Sequence, residues 1–165
     1  MAFTTSKYSA AFQQLILDRV QAVLERDVDI ALAAIDSTLD GIKQFDTPTP
    51  LLTKFPGIYL EPDSSGIRQA DDDSYLIALH QCLVTVSIAG KDPDTLKTAI
   101  VKYVRAIDQV LRTMTVSDLT GGATNAERKP AWEVTEHRYG FLRANENTIY
   151  RKDAQLVLVV ELLER

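Results

Sequence analysis

From Tyr8 to about Arg26 the apolar residues Tyr8, Phe12, Leu15, Ile16, Val20, Val23 and Leu24 recur at steps of three and four. That spacing places them on one face of a helix. The rhythm continues through Ile35, Leu39, Ile42 and Phe45 and predicts a second, shorter helix within residues 29–45. Gly41 weakens that helix by about 1 kcal/mol relative to alanine. Pro48 and Pro50 must end it, since proline lacks the amide donor and biases its predecessor towards extended backbone. Residues 55–60, Phe-Pro-Gly-Ile-Tyr-Leu, then predict a short strand that stops at Pro62, placed at a sheet edge where proline is tolerated. The polar stretch 63–73, with Ser64-Ser65-Gly66 and the triplet Asp71-Asp72-Asp73, predicts a loop.

Residues 75–88 predict a strand with one buried face, because Cys82, Val84, Val86 and Ile88 alternate with Gln81, Thr85 and Ser87. Asp92-Pro93 then combines a helix cap with a residue suited to the first helical position. In the helix that follows, Leu96, Ile100, Tyr103, Val104, Ile107, Leu111 and Met114 form one stripe, and Lys97, Lys102, Arg105, Asp108 and Arg112 form the other. Residues 115–129 contain Gly121-Gly122 with little periodicity, as expected of a long functional or mobile loop. Residues 131–142 and 148–163 predict an antiparallel pair joined through Ala144-Asn145-Glu146-Asn147. In the last strand both alternating sets are apolar, Leu156, Leu158 and Val160 on one side and Val157 and Val159 on the other, so each side needs a cover. The expected fold is a single α+β domain: a four-stranded, mainly antiparallel sheet with two or three helices packed on one face.

A length of 165 residues and an apolar fraction of 45% are ordinary for one folded domain. The formal net charge of -5 has the wrong sign for a protein that binds duplex by neutralising phosphates. One cysteine cannot form an internal disulfide, and with two histidines it gives too few soft ligands for structural zinc. No apolar run approaches the roughly 20 residues of a spanning helix, and the first residues lack the pattern of a cleaved signal, so synthesis in a reducing cytoplasm is the expectation.

Few residues suggest chemistry. Asp71-Asp72-Asp73 with Glu61 and Asp63 could hold a hard cation, but the spacing is not that of a calcium loop and a solvated acidic loop is the simpler reading. His80 and His137 are candidate general bases without a visible nucleophile, and a structural role suits each better. Cys82 falls on the apolar side of its strand, as a small hydrophobe. Gly121-Gly122 lies in no phosphate-binding pattern. The basic helix face and Trp132, Tyr139, Arg138 and Arg143 could touch nucleic acid, but a solvated face and packing aromatics explain them in so acidic a chain. No enzyme and no cofactor is expected.

The element order has a counterpart. A first helix, the Pro56-Gly57-Ile58-Tyr59-Leu60 strand, a long strand ending at Gly90, the capped helix from Asp92 to Met114, a long loop and a closing hairpin together resemble the tail terminator proteins of tailed bacteriophages, over roughly residues 8–163. The resemblance implies a virion structural protein that caps the tail tube as a hexameric ring, stops its polymerisation and joins tail to head or neck. It further implies partners in copies of itself, the tail tube protein and a head or neck connector, with no membrane and with DNA only as passing cargo. No residue role transfers position by position. From the residues themselves, Leu156, Leu158 and Val160 are the candidate self-association surface, and Asp71, Asp72, Asp73, Gly121 and Gly122 mark candidate partner loops. The alternatives are a neck or head-completion protein, or a small ligand-binding or enzymatic domain in which a histidine and the acidic loop converge on a pocket.

Overall fold

Along the chain the elements are α1 (Ala10–Ile35), β1 (Gln44–Phe45), β2 (Gly57–Gln69), β3 (Leu76–Gly90), α2 (Pro93–Thr113), α3 (Val116–Thr120), β4 (Ala131–Tyr139), β5 (Arg143–Ala144) and β6 (Tyr150–Glu164). They come from a computed structural model that describes residues 10–46, 51–69, 76–120 and 130–164. The sheet order is β1-β2-β3-β6-β4, with β5 also pairing to β6. The pairing is antiparallel throughout except between β1 and β2. The class is mixed α+β, as expected. The sheet, however, has six strands where four were expected: four are long, and β1 and β5 add two residues each at its margins.

The helix α2 forms where its sequence signals stand. Asp92 is extended at φ -107 and its side chain accepts from the Asp94 amide at 3.1 Å, with Pro93 opening the helix. Leu96, Ile100, Tyr103, Ile107 and Leu111 are buried along one stripe. The helix α1 is longer than its first repeat suggested, and the second helix expected within 29–45 does not exist. The first 7 residues of that range continue α1, which stops at Ile35. There Asp36 accepts from the Thr38 amide at 3.0 Å and its hydroxyl at 2.6 Å, a local turn that competes with helix. Asp29 then accepts from the Ile42 amide at 2.9 Å, and a β-carbon on Gly41 would come within 2.9 Å of that carboxylate. Leu39 and Ile42 therefore pack on the core from irregular chain, and Phe45 from β1.

Two loop expectations also change. The strand β2 does not stop at Pro62 but runs to Gln69, paired with β3 along its whole length, so the expected loop is strand over residues 63–69. Its register shifts between Pro62 and Ser64, so that Asp63, directly after the residue with no amide to give the ladder, is the extra residue of a bulge. Asp71, Asp72 and Asp73 lie outside the described residues, as do Gly121 and Gly122. Part of the expected 115–129 loop is α3, opened by a reciprocal cap: the Thr115 hydroxyl accepts from the Asp118 amide at 3.2 Å, and the Asp118 carboxylate from the Thr115 amide at 2.8 Å. A salt bridge of 2.9 Å from Arg26 to Asp118 ties α3 to α1.

Candidate functional site

Strand parity sorts the sheet into two faces. The register pairs His80 with Val160, Cys82 with Leu158, Val84 with Leu156 and Val86 with Ala154. These side chains point to the helices, and all but His80 and Ala154 are 0% exposed. Leu156, Leu158 and Val160 therefore cannot be a self-association surface. They are core, covered by the chain's own helices. The correction follows from β6 being apolar on both sides: its pattern alone does not say which set the helices take.

The opposite face carries Leu79, Leu83, Val157 and Val159 towards one end. None of these belongs to the helix-packed cluster. Val157 is 2% exposed and the other three are half-buried. Towards the other end the same face is polar: Tyr59, Thr85, Gln155 and Arg138 stand in register across β2, β3, β6 and β4. The Gln155 amide donates to the Thr85 hydroxyl at 3.2 Å. Arg151 donates to the Ser87 hydroxyl at 3.3 Å and lies 5.2 Å above the Phe55 ring. Over this polar end opens a cleft of about 470 Å³, with Thr85 and Gln155 in its floor, Tyr59 and Glu61 on one side, and Arg138, Phe141 and Arg143 on the other.

The Phe141 side of the cleft belongs to a fixed arm, residues 139–149. The Gly140 amide donates to the Asp153 carbonyl at 2.9 Å, and a β-carbon there would stand 3.2 Å from that same oxygen. Lys152 donates to the Gly140 carbonyl. At the tip, Asn145 Oδ1 accepts from the amides of Asn147 at 3.0 Å and Ile149 at 2.9 Å, and Thr148 takes a positive φ of 60. On this braced arm Phe141 is 89% exposed and Tyr139 47%. The sequence does not mark Phe141 as surface, because the strand expected over residues 131–142 runs on past Tyr139, where the ladder with β6 ends.

The groups weighed for catalysis do not converge. His80 is 1% exposed inside the core, and burial lowers its pKa. His137 sits on β4 with Nε2 3.2 Å from Asp108 Oδ1, and Arg112 Nε donates to the other oxygen at 2.8 Å. This pins β4 to α2. Burial works against the Asp108 carboxylate, yet these bonds from Arg112 and His137 hold its pKa below the ordinary value. His80 and His137 face β6 at Val160 and Leu156, roughly 13 Å apart along the strand by its rise. Neither lines the cleft. Burial, with the nearby Asp63 charge, pushes the Cys82 thiol up to about 12, as suits a small core hydrophobe. Among the described residues no group of three or more His, Cys, Asp or Glu could hold a metal ion. No described helix is long and apolar enough to cross a membrane.

No protein-family model matches the chain, and no curated protein matches it significantly. Among solved structures the chain is similar to one described as "Virion of native gene transfer agent (GTA) particle". The TM-score is 0.45 at 16% identity, over 94% of this chain and 100% of that one.

Proposed function

We propose that this chain is a structural protein of a phage-like virion that caps the tail tube as a ring, ends tube polymerisation and joins the tail to the head or neck. The observation that carries the reading is the sheet face opposite the helices, where Leu79, Leu83 and Val159 remain half-exposed beside a polar, concave end. A face of that kind suits assembly, where apolar and polar complementarity act together. The order of elements, which resembles that of tail terminators, supports the same role. The protein works by shape and carries out no reaction. Its partners are copies of itself, the tube protein and a connector protein, and its net charge of -5 suits a channel through which DNA passes without adhering.

The test is electron microscopy of the purified protein, alone and with the tube protein of its own particle. Rings, or tubes of uniform length ended by one added layer, are expected. A monomer under both conditions would overturn the reading, and binding to heads but not to tubes would move the protein to the head side of the joint.

A further inference from the structure

The arm joins an exposed aromatic, Phe141, to a nearby guanidinium, Arg143, on backbone braced by its own hydrogen bonds. Besides Phe141 and Tyr139 it stands next to Val101 of α2, itself 52% exposed, at a shallow apolar groove. The arm itself carries one base, Arg143, and one acid, Glu146, and at its root Arg138, Arg151 and Lys152 stand beside Glu136 and Asp153. Among the described residues Arg138 pairs with Glu136 and Arg151 with Asp153. Arg143 has no ionic partner among them. An exposed aromatic anchor beside a free guanidinium on a pre-ordered backbone is what a docking contact uses, since little freedom remains to be lost on binding.

The complementary surface occurs on the same chain at the other side of the sheet. The arm follows β4, the last strand in the sheet order, whereas the segment from the end of α1 into β1 borders the first. Residues 27–46 hold five aspartates and one lysine, Lys43. Arg26 occupies Asp27 and Lys102 occupies Asp36. Asp40 is 69% exposed in its side chain and meets only the exposed Lys43, and Asp29 and Asp46 are also exposed. Among these acids Ile30 is 70% exposed, with the exposed Ala33 and Ala34 one turn on. An exposed aromatic with a guanidinium two residues on, and an acidic shoulder with an apolar centre, match in charge and in character.

We infer that the arm of one copy docks on the α1–β1 shoulder of the next, with Phe141 against Ile30 and Arg143 against the Asp40 carboxylate. The contact is head-to-tail, so each copy uses both surfaces and the chain of copies closes when the rotation permits. The inference rests on the ring reading above and assigns the surfaces that build the ring.

The experiment measures the mass of the full chain in solution across concentration, at about 50 and about 500 mM salt, where charge contacts are strong and then screened. Phe141→Ser, Arg143→Asp and Asp40→Arg each reduce the association constant by about tenfold or more, and the double variant R143D/D40R recovers most of that loss. All four keep the thermal midpoint of the parent, because the altered side chains are exposed. In addition, F141C with I30C, against the buried Cys82, gives a disulfide ladder that extends beyond dimer. A ladder that stops at dimer overturns the head-to-tail contact. If the parent protein forms rings and the three single variants form them equally well, the arm assignment fails while the ring reading stands. If the parent neither associates nor caps tubes, both fail. Should Phe141→Ser spare the rings and abolish tube capping, the arm's occupant is the tube protein and the inference is overturned.

Discussion

Across β3 and β6, one face sets His80, Cys82, Val84 and Val86 beside Val160, Leu158, Leu156 and Ala154, all at 1% exposure or less. One residue along each strand, the other face sets Gln81, Leu83 and Thr85 beside Val159, Val157 and Gln155. The backbone, the neighbours in sequence and much of the composition are shared. What differs is the second layer: two long helices close the first face, and the second keeps a mixture of half-buried apolar and hydrogen-bonded polar groups. The helix-covered face carries most of the packing of the subunit, and the other is left partly open.

The comparison can be tested most directly by equal truncations on the two faces. Leu158→Ala leaves a cavity beneath the helices and should cost about 3 kcal/mol, a fall of about 6 to 12 °C in Tm. Val159→Ala, its neighbour on the open face, should cost under about 1 kcal/mol. Equal losses at the two sites, measured by urea or thermal unfolding, would mean that the second face is also closed in the subunit. Weakening the cover is the milder approach. Asp92→Ala removes the cap of α2 and should lower stability by about 1 kcal/mol, and an unchanged midpoint would show that α2 is held by packing alone.

The smallest effect concerns the join between the two covering helices and is read from its pH dependence. The hydrogen bond from Lys102, helped by those from Thr38, holds the Asp36 carboxyl well below the usual carboxylate range. Because its folded pKa is depressed, its stabilising contribution is present above its unfolded value of about 3.9 and is lost as pH falls through the folded one. Urea unfolding from pH 5 down to about pH 2 should therefore show a shallower acid decline in Asp36→Asn than in the parent. An identical slope would remove Asp36 from the linkage.

Much of this arrangement is legible in the amino-acid order. The cap at Asp92 and the stripe from Leu96 to Leu111 define α2 because local signals and the packing stripe agree. The alternation from Cys82 to Ile88 identifies the half-buried β3 in the same way. Residues 63–69 read as loop because Ser64, Ser65 and Gly66 have little intrinsic preference for strand, and only pairing with the long β3 makes them one. The break at Asp36 is hidden because Leu39 and Ile42 keep helical spacing while packing from irregular chain. The side of β6 that faces inwards depends on its register against β3, a relation between distant residues that no local pattern records. The arm is hidden for a related reason: Phe141 falls within the strand that residues 131–142 predict, and only the lapse of the ladder after Tyr139 frees it.

That lapse has a consequence for how the subunit meets proteases. Accessibility and looseness usually go together, and nicking enzymes exploit the pair by drawing a slack segment into an extended cleft. The bend at Asn145 separates the two, since its side chain keeps the amides of Asn147 and Ile149 engaged while residues 143–149 are exposed. This exposed bend is therefore expected to resist enzymes that need a slack segment.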